Sequence, residues 1–451
     1  MSLISLFCLC GMPIARSSVI AVIDSGTDML HKDIYPVAFV NHGEIEGNQE
    51  DDDHNGVADD IHGWNFAENN NQLCDYSYLN RYTLDVKNFF DIQSRRFLGQ
   101  ATEVEIKWLQ EKMKDTKFLK DLQVYGNFMH GTHVAGIASY HNKNAEVLGI
   151  KLIPTEVKLP IPGGQSYFEK VDSDTTEQVA KFLLKQGLAK LAKEQMKLLT
   201  TISSYANGQK ADVANGSFGT GYAQASVIVN ALFQAMMRRE PSEDELKEFS
   251  LHFLTTLITD GQQMVSQAAN TLFVFAAGND SNNNDLLPSS PANIKALNSI
   301  TVAAANGTGK IASFSNFGQN TVDVVAPGVA VLSTVPGNNY LRVSGTSQAA
   351  PFVSNIAGLI KDTNPNLTST EMKFIIMKTV DIRPEWQKLV KSSGLVNRDR
   401  AILAANYSKE LSLQKAIEKA RIEVADLPKS NNKDEEMENL YVIPLPSMFK
   451  L

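Results

Sequence analysis

A set of short, unbroken apolar runs constrains this chain more than any other feature. SSVIAVIDSGTD (17–28), VLGIKLIP (147–154), TLFVFAAGND (271–280), NSITVAAANG (298–307) and TVDVVAPG (321–328) each carry such a run, ended by turn residues. Strict alternation would mark a strand with one wet face. Continuous apolar runs mark strands covered on both faces, as in a parallel sheet. Helical patterns lie between them. FMHGTHVAGIASY (128–140) has small and apolar residues at helical spacing, and EQVAKFLLKQGLAKLAKEQMKLL (177–199) is amphipathic. PSEDELKEFSLHFL (241–254) opens with Ser242 and Glu245 at capping-box spacing, as LTSTEMKFII does with Thr368 and Glu371. Strands alternating with helices predict an α/β fold around a parallel sheet.

Composition narrows the class. The 451 residues are 43% hydrophobic, which is material for a large core. The net charge is −8 with no basic block, which argues against nucleic acid as a partner. Of the three cysteines, Cys8 and Cys10 lie in the leading segment, and without that segment Cys74 has no partner for an internal disulfide. Residues 1–15 form an apolar stretch of signal-peptide length without a basic start, so they read as an export segment or as a truncated N-terminus. No later apolar run is long enough to span a membrane. Nothing in the sequence sets an oligomeric state.

In open parallel sheets, ligands bind beyond the carboxyl ends of the strands. Asp24 follows the first run, Asn279 follows the third, His130 is expected to open the helix of HGTHVAG, and Ser347 opens the helix of VSGTSQAAP (343–351). An acid, an imidazole, an amide and a hydroxyl are therefore expected on one rim. A serine hydroxyl attacks a carbonyl only when a base takes its proton, and the base needs a carboxylate to hold its tautomer. The developing oxyanion needs donors already in place, here the Asn279 amide and the Ser347 N–H. The chain order Asp, His, Ser is that of subtilisin. Asp24 and Ser347 also have plainer readings: a turn-forming Asp and a serine that only caps a helix.

With VIDSGTD, HGTHVAG, AAGND and SGTSQAAP in this order, the chain resembles the subtilisin-like serine proteases, the subtilases. The resemblance implies a three-layer fold over residues 16–407, with insertions at about 67–125, 155–195 and 220–268 and a helical, polar C-terminal tail over 408–451. It implies Asp24 as orienting acid, His130 as general base and Ser347 as nucleophile. Asn279 becomes the oxyanion donor, and Ser217, Phe218, Gly219 and Gly278 border the substrate cleft, where an extended polypeptide would pair with the backbone. The activity implied is peptide hydrolysis through an acyl-enzyme, in an exported protein. Alternatives are an inactive subtilase fold that only binds, and an esterase, although an esterase calls for a G-x-S-x-G elbow and the order Ser, acid, His.

The acidic stretch EDDDHNGVADDIHGWNF (50–66) supports two readings. Asp51, Asp53, Asn55 and Asp59 offer oxygens suited to Ca²⁺. A solvated acidic turn fits the same letters. His133, one turn after His130, reads as a packed helix residue, with a His130/His133 metal pair as the lesser alternative, since no Glu follows His130. Three features depart from the family pattern. Gln348 stands where Met is usual, His130 lies 106 positions after Asp24, and no room precedes the first strand for a propeptide. The last has three readings: a start internal to a longer product, which is favoured here, folding without a propeptide, or compensation by the tail beyond 407.

Overall fold

The first strand, β1 (Val19–Asp24), is buried at every position, as its unbroken apolar run requires. It lies inside a nine-stranded sheet of the computed structural model, which describes residues 17–157, 177–430, 442 and 444–448. The segment read as an export signal or truncated start lies outside the described residues, as does much of the tail beyond 430. The other strands are β2 (Gly63–Asn65), β3 (Glu146–Lys151), β4 (Val213–Gly216), β5 (Leu272–Ala276), β6 (Ser299–Ala305), β7 (Val324–Pro327), a β8–β9 hairpin (Val331–Val335, Asn339–Val343), β10 (Asp381–Ile382) and β11 (Gly394–Leu395). The order across the sheet is β10-β11-β7-β6-β5-β4-β1-β3-β2, parallel except between β10 and β11.

This order contains a switch point. From β1 the chain builds β2 and β3 on one side, then crosses to build β4 through β7 on the other. The loops leaving the carboxyl ends of β1 and β4 diverge there and open a crevice.

Helices cover both faces. Those described are α1 (Leu84–Phe97), α2 (Glu103–Lys112), α3 (Thr116–Ala138), α4 (Glu177–Gly208), α5 (Tyr222–Met237), α6 (Glu243–Gln267), α7 (Thr346–Thr363), α8 (Ser369–Lys378), α9 (Arg398–Tyr407) and α10 (Leu413–Glu423). One apolar core joins the sheet to α3, α7, α8, α9 and α10, with Val134, Ala350, Val353 and Ile356 near its centre. The other joins it to α4, α5 and α6 through Leu184, Phe233, Phe253 and Leu257. The result is the expected three-layer α/β architecture. The Ser242–Glu245 and Thr368–Glu371 pairs form capping boxes at the starts of α6 and α8, as their spacing predicts.

The long gap before His130 is more ordered than its polar composition suggests. Thr83 caps α1, Thr102 and Glu105 form a capping box on α2, and Asp115 accepts from Lys117 N and Phe118 N (3.0 Å each) to start α3. These helices share a small core of their own: Phe89, Phe90, Phe118, Leu122, Tyr125 and Phe128, closed by Val335, Leu341 and Val343 of the hairpin.

The same hairpin anchors the middle of α3. Ser333 Oγ donates to His133 O and Thr334 Oγ1 to Thr132 O, each at 2.8 Å. The fully buried ring of His133 places Nε2 3.1 Å from Leu341 O and Nδ1 3.5 Å from Gln348 Nε2. Both contacts are satisfied by one neutral tautomer, with Nε2–H donating and Nδ1 accepting. Gln348 thus serves as a polar neighbour of His133. His133 is the packed residue expected of it, and its ring is directed to the hairpin.

Burial holds the His133 imidazole down to about 3, with the nearby His130 acting in the same direction. An unfolded chain takes up that proton near the ordinary value of 6.5, so between these limits it binds more protons than the native state. Stability must therefore fall as pH drops through this window, by at most about 1.4 kcal/mol per pH unit from this group. Urea midpoints at pH 7 and pH 4.5 should fall further for the natural chain than for His133→Gln. Equal losses would contradict the assignment.

Candidate functional site

Asp24 ends β1 with no side-chain exposure, and its Oδ1 accepts from Ser25 N and from His130 Nδ1, each at 2.7 Å. A carboxylate at Nδ1 fixes the proton on that nitrogen and leaves Nε2 with its lone pair, the form a general base requires. The close approach depends on Gly131. A Cβ there would lie 2.2 Å from Gly26 O and 3.1 Å from Asp24 Cβ, so any larger residue would push α3 away from the end of β1. Ser25 reinforces the junction, donating to Asn127 O and accepting from Gly131 N. Contrary to the sequence expectation, His130 does not open its helix. The Asp115 cap starts α3 well upstream, so the imidazole projects from the middle of a 23-residue helix.

Ser347 is not a helix cap. Gly345 holds that position for α7, and Ser347 is the second residue of the helix. There its N–H is among those without an intrahelical acceptor, at the positive end of the helix dipole. Its hydroxyl donates to Ser217 O (3.2 Å), while Ser217 Oγ donates to Ser347 O (3.0 Å). This reciprocal pair fastens the start of α7 to the segment leaving β4. Among the described residues no hydrogen bond joins Ser347 to His130. Such contacts are often long before substrate binds.

Asn279 follows β5. Its Oδ1 accepts from both Thr346 N and Thr346 Oγ1 at 2.9 Å, which identifies the oxygen end of the amide and makes the other end a donor. Gly278, at φ +117°, makes the turn that brings Asn279 to α7. Its N–H donates to Thr346 Oγ1 (3.1 Å), and a Cβ would lie 2.2 Å from Asn316 Nδ2. Thr346 therefore positions the amide, a role that its place beside Ser347 only hints at.

The segment Ser217–Gly219 lies against this centre. Ser217 is fully buried, and the Phe218 ring (3% exposed) packs into the core beside α4, α5 and α6, leaving backbone as the feature a ligand would meet. Gly219 donates its N–H to Pro446 O at 3.0 Å. Cys74 is half-buried, and burial raises its thiol pKa, which makes it a poor nucleophile.

In the acidic loop, carboxylate oxygens of Glu44, Asp51 and Asp53 lie within 4.8 Å of one another. Glu44 had no signal in the local spacing, since folding alone brings it to the loop. Asn55 stays beside this group but turns its N–H groups to it: Nδ2 donates to Asp53 and Asp60, while its Oδ1 accepts from Val57 N; Asp59 accepts from Gly47 N and Gln49 N. Asp51 also accepts from Asn55 N (3.0 Å) and Gly56 N (2.9 Å), so the turn closes on its own bonds. Three carboxylates suit a hard dication such as Ca²⁺.

Comparison with known proteins matches the same regions. The model of the subtilase family (Peptidase_S8) matches residues 15–401. Subtilisin-like protease 1 of Plasmodium vivax is 26% identical over 397 residues, covering 86% of this chain and 48% of that protein. An extracellular protease of Xanthomonas campestris is 30% identical over 291 residues, covering 61% of this chain and 40% of that protein. The chain thus spans about half the length of these curated relatives or less. A solved cold-adapted subtilisin-like serine proteinase superimposes loosely, with a TM-score of 0.43 at 18% identity over 85% of this chain and 88% of that one. The family match spans both the sheet and the assembled rim, and the chain belongs to the subtilase family.

Proposed function

We propose that this chain is a serine endopeptidase that cleaves polypeptides through an acyl-enzyme. The observation that best supports this reading is the buried Asp24–His130 pair at the end of β1, on a helix α3 that packs against α7, whose start carries Ser347 and is tied to Ser217 and Asn279 beyond β4 and β5. His130 Nε2 takes the Ser347 proton as Oγ attacks the scissile carbonyl, and later gives it to the leaving amine. Asp24 keeps the imidazole in the working tautomer. The Asn279 amide and the Ser347 N–H receive the negative charge of the tetrahedral intermediate. Water then repeats the attack and releases the acyl group.

The Ser217 carbonyl has a part in this sequence. It now accepts from the Ser347 hydroxyl, and an extended substrate along 217–219 would offer its own N–H to the same oxygen. Substrate binding would then favour return of the hydroxyl to His130.

A Ca²⁺ ion held by Glu44, Asp51 and Asp53 would brace the acidic loop and take no part in the chemistry. Export is proposed as well, in keeping with the extracellular relative. Among the described residues no helix is long and apolar enough to cross a membrane.

A fluorophosphonate probe should label the protein, and Ser347→Ala should abolish both labelling and peptide hydrolysis. Unchanged labelling would defeat the assignment. Asn279→Ala should lower kcat on the order of a hundred- to a thousandfold with little change in KM, the loss characteristic of removing one oxyanion donor. Combined Asp51→Ala and Asp53→Ala removes the turn's own bonds in any buffer, so Tm should fall in EDTA and fall further in the presence of Ca²⁺. Equal losses in both buffers would favour the plain acidic turn.

A further inference from the structure

The strip of backbone assigned to substrate already has an occupant. Gly219 N donates to Pro446 O (3.0 Å), Gln224 Nε2 donates to Leu445 O (3.2 Å), and Thr220 Oγ1 lies 3.3 Å from Ser447 Oγ. Leu445 Cδ1 lies 3.4 Å from where a Gly219 Cβ would stand, so the absence of a side chain at 219 gives it room. Val442, Leu445 and Ser447 are each less than 9% exposed. Leu445 belongs to the core cluster on the α3/α7 face of the sheet, whereas Met448 packs against the cluster on the α4–α6 face. The segment therefore lies across the rim where the strands end, which is where a peptide must lie to reach Ser347.

We propose that Val442 and residues 444–448 are a resident ligand of the substrate groove, and that a substrate must displace them. The proposal rests on the reading of 217–219 as the substrate strip. The described residues of the segment are uncharged and mostly apolar: Val442, Pro444, Leu445, Pro446, Ser447 and Met448. They define the class of peptide that the groove accepts, extended and neutral with a branched apolar side chain beside Gly219. The two prolines set φ in advance and reduce the ordering cost of docking. Pro446 accepts from Gly219 but has no N–H to return a second ladder bond, so it pairs on one side only. An ordinary peptide can make both bonds at that position, which favours exchange of the resident for a substrate.

The test uses the full chain. Leu445→Asp places a charge in the buried seat and should free the groove. In the Ser347→Ala background, hydrogen exchange over residues 217–224 should speed at least tenfold on adding Leu445→Asp, with β5 and β6 unchanged as the control for folding. With Ser347 present, Leu445→Asp should lower KM for a neutral peptide substrate about tenfold at constant kcat. A synthetic peptide of residues 442–450 should raise it again competitively. Unchanged exchange at 217–224 overturns the proposal. Faster exchange with unchanged KM also overturns it, because the vacated strip would then not be the substrate path. If exchange speeds but neither form labels with fluorophosphonate, the docked segment stands and the peptidase reading fails. Should Leu445→Asp disturb β5 or β6, Leu445→Ser replaces it under the same criteria.

Discussion

The contact between Asp24 and His130 is the interaction on which the site depends. It joins the end of a central strand to the flank of a long helix, and it is buried on both sides. A carboxylate removed from water is stabilised only by partners, and here Oδ1 receives two. The bond from His130 Nδ1 also selects the imidazole tautomer, which in turn defines where a proton can go. Gly131 makes the approach possible, Ser25 ties the helix to the strand, and the β8–β9 hairpin holds the other side of α3. Local chemistry and global packing thus share the same few residues.

The second half of the site is assembled differently. Two sets of hydrogen bonds, Ser347 with Ser217 and Thr346 with Asn279, tie the start of α7 to the segments leaving β4 and β5. The hydroxyl and the amide are therefore held on neighbouring segments that meet at the start of α7. The imidazole arrives from the other side, on a helix that the hairpin fastens separately.

Much of this was legible in the sequence, for identifiable reasons. The central strands are dry on both faces, so composition alone exposes them. The capping boxes at Ser242 and Thr368 are local and need no tertiary context. The same spacing at Thr102 and Glu105 marks α2 just as well, but the polar run around it hides the helical period. The start of α3 was misplaced because HGTHVAG looks self-contained, while the Asp115 cap lies in that polar run. Glu44 and Leu445 carry no local signal. The first reaches the acidic loop, and the second the groove, only through contacts that exist once the chain has folded.

One consequence follows from the length of α3. Its front half belongs to the inserted helices, with Phe118, Leu122 and Tyr125 locked into their aromatic cluster, and its rear half carries the imidazole. Proline is a chief cause of sharp kinks, and α3 contains none. The insertion and the imidazole therefore ride on one helix, so the aromatic cluster and the Asp24 contact must be satisfied together.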